Sequence, residues 1–170
     1  MMEIVSQASF SDAHEALDIP LVAANLHRLI RPQQSQIWAV MRAEADIHRI
    51  RFVLTSAFLG RLCLSGEIFD LNDEQWNEVL KSISFYGKVK HIIKDGFTKE
   101  IRTNVKDYLN PKGFQAVLRT LGNEVLLIVH TFKEGANPPV SDLLEGWKIK
   151  ESFGSDLNED LRGMVYYLNK

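Results

Sequence analysis

Over roughly its first ninety residues the chain alternates between two hydrophobic periods, and this alternation constrains the fold more than any other feature. Residues 4–10 read as a short strand. From Ile19 the period becomes helical: Leu21, Val22, Asn25, Leu26, Leu29 and Ile30 recur at steps of three and four. Asp18 stands at an N-cap position, Pro20 suits the first turn, and Pro32 ends the helix. "SQIWAVMR" (35–42) is apolar on both faces in its middle, as a buried parallel strand is. Asp46 can cap a second helix carrying Ile47, Ile50, Val53, Leu54, Ala57 and Phe58, and Gly60 breaks it. "RLCLSG" (61–66) reads as a third strand. Asn72 and Gln75 then stand at capping-box spacing before a helix over 73–89, with Trp76, Val79, Leu80, Ile83 and Tyr86 or Phe85 on its inner side.

Repeated strand-helix units imply parallel strands with helices packed outside them. Three units make a poor domain, because parallel sheets are covered on both faces or closed into an eight-stranded barrel. Residues 1–90 are therefore expected to be part of a larger barrel, or to be completed by a partner. If barrel-facing side chains come from Ile4, Ile37, Ala39, Met41, Leu62 and Leu64, they lose their cover.

Beyond residue 90 no helical period is convincing. "GFQAVLRT" (113–120) and "EVLLIVHTF" (124–132) form a hairpin pattern around Leu121-Gly122-Asn123, and "GWKIKESF" (146–153) and "GMVYYLN" (163–169) read as further strands. Residues 91–170 are expected to be a small antiparallel β domain. The fold class is thus α/β, with three βα units followed by antiparallel sheet.

Net charge is -2 with no basic run, which argues against nucleic-acid binding. A single cysteine, Cys63, excludes an intrachain disulfide and a cysteine-based zinc motif, and its neighbours Leu62 and Leu64 suggest a buried, inert thiol. The first residues lack a signal peptide's pattern, and no apolar run approaches the ~20 residues that cross a bilayer. A cytoplasmic chain without membrane contact is expected. No G-x-G-x-x-G, Walker or G-x-S-x-G motif is present, so no cofactor is expected. His27, His48, His91 and His130 show no ligand spacing and read as surface or satisfied histidines. Trp38, Trp76 and Trp147 could stack on sugars, although Trp76 reads as core.

In parallel αβ layers ligands bind where strands end. Such ends lie at Ser11-Asp12-Ala13-His14-Glu15, Arg42-Ala43-Glu44 and Ser65-Gly66-Glu67. Asp12 is the best-placed carboxylate and Glu67 the second. By position alone the plainer reading is that Asp12 caps a turn and Glu67 is solvated.

"SFSDAHEALDIPLVAANLHRLIRPQQSQIWAVMR", followed by "FLGRLCLSGEIFDLNDEQW", resembles the late part of the catalytic domain of alpha-galactosidases of glycoside hydrolase family 36. The resemblance covers residues 5–90, and the tail is a looser match to that family's C-terminal β domain. It implies that the three units are the sixth to eighth of a (β/α)8 barrel. It also implies that Asp12 is the acid/base of a retaining glycosidase, with Ser11, His14, Glu15 and Glu67 as substrate-binding residues for an alpha-galactoside. The family's nucleophile, on an earlier strand, has no counterpart here, and Ala16 stands where glycine is expected. The expectation is a C-terminal fragment, inactive alone, whose partner is the missing part of the barrel or a second copy. The alternative is a non-catalytic carbohydrate-binding or assembly module.

Overall fold

In a computed structural model, residues 7–9 and 16–170 are described, and their fold is mixed α/β. The elements are α1 (Asp18–Leu26), a 3-10 turn (Pro32–Gln34), β1 (Gln36–Met41), α2 (Ile47–Ala57), β2 (Arg61–Gly66), α3 (Asp73–Asp95), β3 (Phe97–Thr103), β4 (Phe114–Leu121), β5 (Glu124–Thr131), α4 (Ser141–Leu144), β6 (Lys148–Gly154) and β7 (Gly163–Asn169). β1 and β2 pair in parallel, Ile37 opposite Leu62 and Ala39 opposite Leu64. Ala8, within the segment read as a first strand, bridges Ser35 in the same parallel sense; residues 4–6 and 10, Ile4 among them, lie outside the described residues. The antiparallel sheet has the order β3-β4-β5-β7-β6. Among the described residues, no helix is long and apolar enough to cross a membrane.

Helices α1 to α3 form a middle layer, with β1 and β2 on one side and the antiparallel sheet on the other. α2 shows this best. Ile50, Phe52, Val53, Leu54, Thr55, Ser56 and Ala57 are consecutive or nearly so and all are buried, whereas a helix lying on one sheet buries a single stripe. Asp46 caps it, accepting from the Arg49 amide at 2.8 Å. One core cluster joins Ile37, Ala39 and Met41 of β1, the buried positions of α2 and α3, and Val117, Leu126, Ile128 and Val165 of the antiparallel sheet. A second, smaller cluster covers the far face of that sheet, where Leu118, Leu127 and Leu168 meet Val140 and Leu143.

Several local expectations need correction. Ile37, Ala39 and Met41 do not lose their cover, for they are buried in the helix-side core. By strand alternation the opposite face of β1 and β2 carries Gln36, Trp38, Cys63 and Ser65, all partly exposed. Cys63 is therefore not fully buried, and its sulfur lies 2.9 Å from Gln36 Nε2. Asp18 does not cap α1: the cap position is Leu17, and no side chain bonds there. α3 runs six residues past the expected end, to Asp95, before Gly96. Its capping box forms as the spacing predicts, with Asn72 and Gln75 each bonding the other's amide. Val79 and Phe85 are buried as expected, together with Gln75, Glu78, Ser82, Val89, Ile92 and Ile93, whereas Trp76, Leu80 and Ile83 are exposed. β3 follows directly where no strand was expected.

The contact between helices and antiparallel sheet contains buried polar groups. His130 on β5 is fully buried, its Nε2 3.1 Å from Ser56 Oγ, and Phe52 meets its ring edge-on at 4.9 Å. The Ser56 hydroxyl donates to the Phe52 carbonyl at 3.1 Å. Gln115 donates to the Pro20 carbonyl at 2.9 Å. Arg119 on β4 is fully buried with no carboxylate paired to it among the described residues, and burial pulls its guanidinium down to about 10. Its Nη2 approaches His27, the Leu59 carbonyl and Thr98 at 3.3–3.5 Å. His27 Nε2 lies 2.7 Å from the Leu59 carbonyl, which can only accept, so this nitrogen carries the proton. Burial first, then the Arg119 charge, holds His27 down at about 3, and burial does the same to His130.

Both rings are neutral in the fold, whereas in the unfolded chain they protonate near 6.5. The unfolded state thus binds more protons below that value, so stability is full above pH 6.5 and falls toward pH 3. The urea midpoint should correspond to a loss of ~2 kcal/mol per ring between pH 7 and pH 5, and His130→Asn should flatten the profile. A flat profile in the parent chain would contradict neutral burial. Phe58 packs against Phe85, Tyr86 and Phe153 at 5.5–5.9 Å. Phe58→Ala should cost ~3–5 kcal/mol in the same assay.

Candidate functional site

The parallel strands β1 and β2 end side by side, and the chemistry there starts with a glycine. Gly66 has φ +81, and a Cβ at that position would lie 2.2 Å from the Met41 carbonyl oxygen. Only glycine lets β2 turn this close to β1. The turn brings the Glu67 amide onto the Met41 carbonyl at 2.9 Å. The Glu67 carboxylate then reaches over the end of β1. Its Oε2 accepts from the Ala43 amide at 2.9 Å, and its Oε1 lies 3.6 Å from Arg42 Nη1. Gln75 Nε2 holds the same loop from below, donating to the carbonyls of Ala43 and Ala45 at 3.0 and 2.7 Å. Glu67 therefore stands where sequence reasoning placed it, at a strand end, but it is engaged in tying two strand ends together. Both it and Arg42 are about half exposed, so the pair remains within reach of a ligand.

Ser11, Asp12, His14 and Glu15 lie outside the described residues. Ala16, the first residue after them, lines a cavity of about 60 Å³ with Val40, Arg42, Ala45, Ile50 and Val53. The described part of this end thus offers a carboxylate, a guanidinium and a small recess beside Ala16. These groups can hold hydroxyls by charge-assisted hydrogen bonds.

Two further clefts lie elsewhere. One, of about 350 Å³, lies between the start of α2 and the loop between β6 and β7, and His48 Nδ1 is 3.0 Å from Ser155 Oγ in it. Arg51 and Arg162, which also line it, are paired with Glu78 and Glu159. Sequence reasoning missed the His48–Ser155 contact, because the two residues are far apart in sequence. The other, of about 610 Å³, is lined by His27, Arg28, Arg31, Lys94 and Phe97 among others. Trp147 is not an open stacking platform: Lys170 Nζ lies 5.4 Å from its ring centroid, and the ring packs against the second core cluster. Among the described residues no group of three or more histidine, cysteine or carboxylate side chains could hold a metal ion.

No protein-family model matches the sequence, and no curated protein matches it. Among solved structures, the chain is similar to the galactosidase domain of alpha-galactosidase-sucrose kinase, AgaSK, with a TM-score of 0.66 and 10% sequence identity. The alignment covers 94% of this chain and 25% of that one, so the chain spans about a quarter of the neighbour's length. The chain therefore has a galactosidase-like fold, its antiparallel five-stranded sheet consistent with a galactosidase C-terminal domain.

Proposed function

We propose that the chain is the C-terminal part of a retaining alpha-galactosidase-like glycoside hydrolase of family 36, its βα units being the last three of a (β/α)8 barrel. The observation that carries this reading is the likeness to a galactosidase domain along 94% of the chain, which takes in both the βα units and the antiparallel sheet. The motif around Ser11-Asp12 and the "LGRLCLSG" strand supports it independently.

In this reading Asp12 is the acid/base. It gives its proton to the glycosidic oxygen as the aglycone leaves, then as carboxylate takes a proton from the water that releases the sugar. Ser11, His14, Glu15 and Glu67 surround the galactoside. Glu67 and Arg42 would present their remaining hydrogen-bonding capacity to sugar hydroxyls. The reaction needs a second carboxylate ~5–5.5 Å from the first as nucleophile. That residue belongs to an earlier strand of the barrel, on further polypeptide. The chemistry needs no cofactor, and the setting is cytoplasmic.

The test is hydrolysis of nitrophenyl alpha-galactoside by the chain, alone and mixed with the polypeptide encoded directly upstream. The lone chain should show no turnover, and the mixture should show turnover. In the mixture Asp12→Asn should cut turnover strongly for alkyl galactosides and less for activated aryl ones, which need little protonation. An associated but inert mixture, or a lone chain whose activity depends on Asp12, would overturn the reading.

A further inference from the structure

α3 buries Val79, Phe85, Val89, Ile92 and Ile93 against the core but leaves a second group of apolar residues exposed on its outer side. Gln75, Glu78 and Ser82 are buried, whereas Trp76 is 40% exposed, Leu80 49% and Ile83 42%. The exposed residues belong to a stripe at alternating steps of three and four: Asp73, Trp76, Leu80, Ile83, Gly87, Lys90. This is the spacing of a helix that packs against another helix. Between Asp73 and Lys90 the stripe carries no charge, a composition that marks interface cores. At 100° per residue the stripe lies about half a turn round α3 from Glu78, which pairs with Arg51 of α2. It therefore points away from α2.

β2 has a free edge as well. Its Arg61 amide donates to Ser35 and the amide after its end, Glu67, to Met41. Odd-numbered residues thus bond β1, and Leu62 and Leu64 turn their backbone groups to the other side. Among the described residues no strand pairs there. The Leu62 amide is met by the Tyr86 hydroxyl of α3 at 3.3 Å, and the Leu64 carbonyl by the Cys63 thiol at 3.9 Å.

We propose that this face binds a second copy of the chain, α3 packing antiparallel on α3 across a two-fold axis. The stripe is complementary to its own reverse. With the axis between Lys81 and Ser82, Trp76 of one copy lies over Gly87 of the other and Leu80 lies against Ile83. Asp73 faces Lys90 at each end. A Cβ at Gly87 would meet nothing within 4 Å, so the space for the partner's indole is open. The same axis sets the two β2 strands side by side and antiparallel. Tyr86 is level with Leu62, so the axis, about 7 Å along α3, falls level with the middle of β2. One isologous contact therefore covers both the helix stripe and the strand edge. A strand supplied by further polypeptide would occupy the same edge, so barrel completion and this dimer exclude each other.

Sedimentation velocity of the full chain across the micromolar range tests the proposal, with circular dichroism to confirm folding. A dimer is expected. Leu80→Lys should weaken it at least ~10-fold, about 1.4 kcal/mol. Asp73→Lys and Lys90→Asp should each weaken it, and the double exchange Asp73→Lys/Lys90→Asp should restore it. Restoration would not follow from a role within one chain. A chain that stays monomeric, a dimer indifferent to Leu80→Lys, or single charge changes that leave the affinity unaltered would each overturn the proposal.

Discussion

The rest of the structure depends on the burial of α2 from both sides. A helix that lies on one sheet shows water a polar face, and α2 has none along most of its length. Its β1-facing side chains and its sheet-facing side chains belong to one core cluster. The parallel pair and the antiparallel sheet are thus held together through a shared layer. This has a local cost. Thr55 and Ser56 are buried with the apolar residues. Ser56 bonds the Phe52 carbonyl and meets His130, whereas Thr55 Oγ1 has no partner among the described residues. β7 also comes so close to α2 at Gly163 that a Cβ there would lie 2.9 Å from Thr55.

The same layering explains what could be read in the sequence. β1, α2, β2 and the start of α3 were legible, because their periods, caps and breakers agree with one another. The β4-β5 hairpin was legible from two apolar runs around Gly122. β3 was not, because "FTKEIRT" holds only two apolar residues, Phe97 and Ile101, with Lys99 and Glu100 adjacent between them, so no two-residue period shows. The face of α3 was misjudged for a physical reason. Hydrophobic periodicity gathers Trp76, Leu80 and Ile83 into one stripe with Val79 and Phe85, but the core side of α3 takes in Gln75 and Glu78 beside Val79 and Phe85, held by backbone carbonyls and by Arg51, and leaves the other three outside. Buried Arg119 was invisible as well, since a lone arginine in an apolar strand carries no sign of which layer will cover it.

For the candidate site, strand polarity alone located Glu67, since parallel strands followed by helices present their ends together. Its partners were not legible. The Ala43 amide and Arg42 become its neighbours only because Gly66 permits the tight turn onto Met41. Within the proposed glycosidase, the helix layer and antiparallel sheet form a rigid backing that fixes these strand ends. In that proposal the face of β1 and β2 turned away from the helices and the outer edge of β2 are left for other polypeptide.

Native-state hydrogen exchange tests the shared-layer account most directly. If α2 holds the two sheets as one cooperative unit, the amides of Val53, Leu54 and Ala57 should exchange with the same free energy as those of Leu126 and Ile128, and that value should equal the global unfolding free energy. Exchange of the α2 amides by a separate, lower-energy opening while β5 stays protected would show that the parallel pair and its helix detach on their own, and would contradict it.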